Sequence, residues 1–300
     1  MGWRVLYVDQ GHYLNLYLDN IKINNRSEDR EITVPIHDIH TLILDNYQIV
    51  LSVQLINKLM EYNVNVVLCN LEHKPHSLIV PQEGNKKATQ VLFRQMEWTE
   101  SAKQVMHREI VRYKIRNQLE LLRLMEKDPD AIRLLEQYIE QVELGDVTNR
   151  EGLSAKVYFR ALFGPKFKRF EQDTVNASLN YGYAILRSQI SKTVIAKGLH
   201  PALGIFHKGP TNGFNLSDDV IEPFRPLVDC HVAQHCMNLE MFGKEQKICL
   251  IRLTTSDLKY RGKKQTLFNV VSMFVDDLVR FTETGDMSFL HRPKIPYHEL

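Results

Sequence analysis

The chain has 300 residues, 44% hydrophobic and 25% charged, a globular composition that excludes a disordered or fibrous protein. Its formal charge is only +2, so nucleic-acid binding would have to come from local clusters of cations. The four cysteines, Cys69, Cys230, Cys236 and Cys249, form no short-spaced framework, which points to a reduced, cytoplasmic setting. No run approaches the ~20 apolar residues of a membrane span, and Arg4, Asp9 and Asp19 interrupt any signal-peptide character.

The first eighty or so residues read as strand-rich. Residues 3–8 and 13–18 are β-branched and aromatic runs separated by a Gln10-Gly11 turn signal, and 21–23, 31–34 and 41–44 are shorter candidates. Residues 51–62 place Val53, Ile56, Leu59 and Met60 at helical spacing, and 64–69 and 77–80 return to strand. Residues 82–96 read as a linker, opened by the polar, turn-rich stretch from Pro81 to Lys87. Helical periodicity then predicts helices over 97–125, 129–144, 150–162, 174–197, 220–239 and 264–284, with a loose tail around Pro293 and Pro296. The expected fold is α+β: a small β-sandwich-like N-terminal domain (1–81), the linker, and a larger all-α C-terminal domain (97–300).

No glycine-rich loop ends in Gly-Lys-Ser/Thr, so P-loop nucleotide hydrolysis is excluded as a reading. His231 and His235 share a predicted helix face but lack the intervening glutamate of a zinc protease. With Cys230 and Cys236 they offer one soft-ligand cluster where structural zinc takes two pairs, and packed thiols are the simpler reading.

Three other segments carry hard ligands. Glu151 stands in the first turn of a predicted helix, His200 and His207 in a loop-like stretch, and Asp218, Asp219 and Glu222 near a helix start. Each alone has an ordinary explanation, since acids complement helix N-termini and loop histidines are usually solvated. Together, two carboxylates and an imidazole would suit Mg²⁺ or Mn²⁺, although spacing does not show that they converge. Lys156, Arg160, Lys166, Lys168 and Arg169 fall within fourteen acid-free residues interleaved with Phe159, Phe163, Phe167 and Phe170. Lys259, Arg261, Lys263 and Lys264 form a second basic run, with Arg252 and Arg225 as weaker candidates for phosphate contact.

The stretches Asn149-Arg150-Glu151-Gly152, Leu179 to Ala184, Gly198 to His207 and Asp219 to Pro226 closely resemble, in order and spacing, the CRISPR-associated endonuclease and integrase family of the spacer-acquisition complex. Phe214 to Asp219 resembles the type II (II-A-like) branch, which accompanies a large single-protein effector nuclease. The resemblance covers essentially the whole chain. It implies a metal-dependent enzyme that joins 3′-hydroxyl ends of a short captured DNA to the repeat of a CRISPR array, in antiviral defence. It also implies double-stranded DNA as substrate, a homodimer, and a small partner protein dimer bridging two such dimers, with an effector nuclease and an accessory adaptation protein as further partners.

Carried over residue by residue, Glu151, His207 and Glu222 would ligate Mg²⁺ or Mn²⁺, with His207 alternatively a general base. Asp218 or Asp219 would cap the helix or orient ligands and waters. The competing readings are a structure-selective nuclease acting on branched DNA and a non-catalytic DNA-binding scaffold. A strand-transfer assay separates the three.

Overall fold

The computed structural model describes residues 2–24, 31–81 and 85–299; residues 82–84 of the expected linker lie outside the described residues. The chain divides into two compact units, residues 1–84 and 85–300.

The first unit contains β1 (Arg4–Val8), β2 (Tyr13–Tyr17), β3 (Asn20–Asn24), β4 (Glu31–Pro35), β5 (Ile39–Leu44), β6 (Val50–Leu51), α1 (Val53–Glu61), β7 (Asn65–Cys69) and β8 (Pro75–Ile79). They form two four-stranded sheets, ordered β1-β5-β7-β8 and β4-β3-β2-β6. Strands β1, β5 and β7 run parallel, and β8 closes the sheet antiparallel to β7. Parallel neighbours need a crossover, and α1 lies on the connection from β5 to β7. Ser52 caps α1 by accepting the Leu55 N–H, and Leu55 and Leu59 enter a core shared by both sheets with Leu14, Ile21, Leu42 and Val66.

The second unit contains α2 (Ala88–Met96), α3 (Glu100–Leu124), α4 (Pro129–Gln141), α5 (Arg150–Phe163), α6 (Thr174–Ala196), α7 (Asn215–Ile221), α8 (Arg225–His235), α9 (Lys244–Arg252), β9 (Asp257–Tyr260), β10 (Lys263–Thr266) and α10 (Leu267–Thr284). The architecture is therefore a β-sheet N-terminal region followed by a helical domain. Helix α3 is its central post, packing against α4, α5 and α8. It buries His107, Glu109, Lys114, Asn117 and Gln118 alongside its apolar residues, so part of its inner face is polar.

Four expectations are corrected. The segment read as linker contains α2, whose Gln95 is buried and bonds the carbonyls of His200 and Leu203 and the N–H of His200. Tertiary hydrogen bonds hold this helix, a feature that no hydrophobic period reveals. The helix expected over 220–239 is instead α7, a 3-10 turn (Glu222–Phe224) and α8. Residues 264–266, expected as the start of the last helix, belong to β10 and pair with β9 as a hairpin; Arg261 and Gly262 both take positive φ in its two-residue turn. The tail is docked rather than loose: Ile295 and Tyr297 are buried, Lys294 bridges Lys259, and the Tyr297 hydroxyl donates to the Asn117 carbonyl at 2.8 Å. Among the described residues no helix is long and apolar enough to cross a membrane.

Candidate active site

Helix α5 begins at an unusually well-secured turn. Asn149, in left-handed conformation at φ 51°, accepts the Gly152 N–H, and the Asp146 carboxylate accepts the N–H groups of Arg150 and Glu151 at 2.8 and 2.9 Å. Gly152 leaves room for this cap, because a Cβ would sit 2.6 Å from Asn149 Oδ1 and the capping side chain would have to shift. This turn fixes the backbone of Glu151 so that its side chain meets α3.

Glu222 is positioned by two prolines. Pro223 and Pro226 lack the N–H groups that would reach the Asp219 and Glu222 carbonyls in an α-helix. Those carbonyls are taken instead by Glu222 N–H and Arg225 N–H, three residues on, which tightens the chain into the 3-10 turn. Asn117 of α3 secures the turn by donating to the Pro223 carbonyl at 2.7 Å.

The two glutamates converge on one ammonium. Lys114 Nζ lies 2.6 Å from Glu151 Oε1 and 2.5 Å from Glu222 Oε2. The second contact is a close ion pair, which compensates the buried Glu222 Oε2. Arg225 Nε bonds the other Glu222 oxygen at 2.8 Å, and His107 Nε2 is 3.9 Å from Glu151 Oε2. Lys114 holds the Glu151 carboxyl well below the usual range against the effect of burial. Burial pushes the Glu222 carboxyl up, but Arg225 and Lys114 outweigh it and the net direction is down.

His207 is oriented by Asp219. The buried Asp219 carboxylate accepts N–H groups from Ile205, Phe206 and His207 and bonds His207 Nδ1 at 2.7 Å. Gly204 permits this wrap, since a Cβ there would fall 2.2 Å from the His207 carbonyl oxygen. The Asp219 hydrogen bond raises the His207 pKa against the opposing effect of burial. Phe206, beside it, stacks on the His107 ring at 3.8 Å. Asp218 holds the loop by accepting from Asn212 at 2.8 Å, with Arg187 3.6 Å away.

A cavity of about 510 Å³ opens beside Glu222, with Lys114, Arg225 and Asp229 among its lining residues and Phe159, Phe167, Lys156, Arg160 and Lys168 on its walls. Below it, the buried Asp229 accepts hydrogen bonds from the hydroxyls of Tyr158 and Tyr183, and burial raises its carboxyl to about 6. Arg225 lies over the Tyr183 ring at 4.5 Å, so this network braces the arginine that braces Glu222.

The structure thus brings Glu151 and Glu222 together and places His207 against Asp219. Among the described residues, no group of three or more His, Cys, Asp and Glu closes into a metal-holding set, and this includes the Cys230, His231, His235 and Cys236 cluster. Cys230 and Cys236 are buried, as packed thiols would be. Of the expected DNA-facing cations, Lys156, Arg160, Lys166, Lys168, Arg252, Lys259, Lys263 and Lys264 are exposed. Arg169 is committed to Asn176 and Asn180 at 2.7 Å each, and Arg261 closes onto the buried Asp277. The sequence reading missed Lys114, His107 and Asp229, and gave Arg225 only a weak role. Lys114 and His107 are seven apart on α3, a spacing that shares one face, but α3 carries so many charges that nothing marks these two as inward.

A β-sheet unit followed by a helical unit is also the fold of several known structures. The chain superposes on a casposase bound to integration product with a TM-score of 0.78 at 20% identity, covering 100% of this chain and 96% of that one. A Cas1 protein from Thermotoga maritima gives 0.71 at 16% identity, covering 94% and 97%. The family model for CRISPR associated protein Cas1 matches residues 6–259, and the chain belongs to that family. It is 37% identical over 232 residues to the CRISPR-associated endonuclease Cas1 of Neisseria meningitidis, covering 77% of this chain and 75% of the relative. It is 25% identical over 291 residues to a Francisella tularensis relative of the same description, covering 88% and 90%.

Proposed function

We propose that this chain is a divalent-metal-dependent DNA endonuclease and integrase, which inserts short captured DNA into a CRISPR array by 3′-hydroxyl attack. The observation that carries the proposal is the convergence of Glu151 and Glu222, from separate helices, on one cationic point beside a cavity walled by cations and aromatic rings. Related structures support the reading: the casposase is bound to integration product, and another neighbour, with a TM-score of 0.72, is a Cas6-RT-Cas1–Cas2 complex. By the same reasoning the chain works as a homodimer bridged by a small partner protein. The type II branch rests on Phe214 to Asp219, with an effector nuclease and an accessory protein as further partners.

The residues fit Mg²⁺ or Mn²⁺. Two carboxylates from separate helices already bracket a point charge, and carboxylate oxygens are the donors these hard ions take. When bound, the ion would neutralise the phosphoryl oxygens and lower the pKa of the attacking hydroxyl. Glu151 and Glu222 would hold it, and Arg225 would keep Glu222 aimed. In the joining step a bond forms from the 3′-oxygen to phosphorus and a phosphoester P–O bond breaks, so the attacking hydroxyl loses a proton and the leaving oxygen gains one. With Nδ1 bound to Asp219, His207 has Nε2 for the ion or for that proton. Lys156, Arg160 and Lys168 would lie along the phosphates, and the phenylalanines would stack unpaired bases.

A strand-transfer gel with labelled duplex, run with Mg²⁺, Mn²⁺ and chelator, tests this. Joining is expected with either metal and not with chelator, and Glu222→Gln should abolish joining in a folded protein. Cleavage without joining would favour the structure-selective nuclease. Full activity in chelator would overturn the metal.

A further inference from the structure

Among the described residues, Lys114 is the one cation that contacts both candidate ligands, and its side chain is as buried as theirs: 9% exposed, against 22% for Glu151 and 8% for Glu222. With Arg225 on the far oxygen of Glu222, the four charges sum to zero. The metal-free cluster is therefore already neutral. A dication added to these four groups unchanged would meet an ammonium in contact range and bring two positive charges that they do not compensate. What can move is the side chain, a flexible four-carbon stem that lines the adjoining cavity of about 510 Å³.

We propose that Lys114 is a displaceable resident cation: it holds Glu151 and Glu222 together in the metal-free protein, and is expelled toward the cavity when a divalent ion takes its place. There the ammonium stands beside Lys156, Arg160 and Arg225, on the wall where a strand's phosphate would pass. Metal affinity is then weak in the free protein, because the ion must displace an ion pair. Phosphate in the cavity favours the exchange by receiving the expelled charge. This rests on the metal-dependent reading above.

The test is Mn²⁺ binding to the DNA-free full chain, followed by electron paramagnetic resonance, alongside thermal unfolding in chelator and in Mn²⁺. Lys114→Gln keeps a donor and loses the charge. It should bind Mn²⁺ at least about tenfold more tightly than wild type. It should also melt lower in chelator, where two buried carboxylates lose their partner, and regain that loss in saturating Mn²⁺. Lys114→Arg keeps the charge and should bind Mn²⁺ as weakly as wild type. Glu151→Gln should lose the binding, which locates the ion.

Unchanged or weaker Mn²⁺ affinity in Lys114→Gln, with wild-type binding intact, would overturn the displacement and make Lys114 a fixed strut. A stability loss that Mn²⁺ does not repair would do the same. No Mn²⁺ binding in wild type or in any variant would instead overturn the metal reading itself, and this inference with it.

Discussion

Asp219 shows how one buried carboxylate can organise a site without touching its chemistry. It takes four N–H groups from residues 205–207, including the His207 ring, so a single side chain sets both the loop path and the imidazole orientation. Asp219→Asn leaves one acceptor oxygen where there were two and should cost about 2–3 kcal/mol, as hydrogen bonds to a charged group do. Its effect should depend on pH. The bond to Asp219 raises the folded His207 pKa above 6.5, so its stabilisation is fully present below pH 6.5 and lost as pH rises through the folded value. Urea unfolding should therefore show a larger deficit for Asp219→Asn at pH 6 than at pH 9, and the His207 titration followed by NMR should shift down. An equal deficit at both pH values would mean that the backbone hydrogen bonds alone carry the effect. Asp218→Asn, which loosens only Asn212 and Arg187, should cost less.

At the level of elements, the short loops that end in functional residues matter more than the long helices. The Asn149–Gly152 turn aims Glu151, and the Pro223–Pro226 turn aims Glu222; both follow from residues whose physical effect is local and readable. Gly152→Ala places a methyl group against Asn149 and should lose the cap, costing about 1–2 kcal/mol. Strand joining should fall with it, because Glu151 is carried on that turn. Chemical denaturation and the strand-transfer gel measure the two losses, and an unchanged joining rate would separate the cap from the site. The same locality explains what was legible. Seven strands, α1, α3 to α6 and α10 could be found from periodicity, and the three acidic or histidine segments stood out as chemistry-bearing. Helix α2, held by Gln95, and the docked tail, held by Asn117 and Tyr297, depend on partners far along the chain and leave no periodic trace. The β9–β10 hairpin was hidden because β10 is wholly polar and basic, and Arg261-Gly262 reads as part of a charge run before it reads as a turn.

For the whole molecule, a net charge of +2 conceals a division of labour among cations that look alike in sequence. Arg261 belongs to the fold, and Arg169 lines the cavity beside Glu222 but is held by Asn176 and Asn180, while Lys156, Arg160 and Lys168 line the same cavity and reach solvent. Neutralising Arg169 would disturb Asn176 and Asn180 as well as any DNA, so it is a poor probe of phosphate binding. Lys156→Gln, Arg160→Gln and Lys168→Gln together are the cleaner choice. Each phosphate left without its cation should reduce the slope of log affinity against log salt by about 0.9 for duplex DNA, and three such phosphates by nearly 3. The corresponding change on the hairpin, Lys259→Gln, Lys263→Gln and Lys264→Gln, should leave the slope close to wild type. Fluorescence anisotropy of a labelled duplex across a salt series reads both. If the hairpin variant flattens the slope and the cavity variant does not, the duplex runs along β9–β10, and the cavity walls serve only the strand end that enters the site.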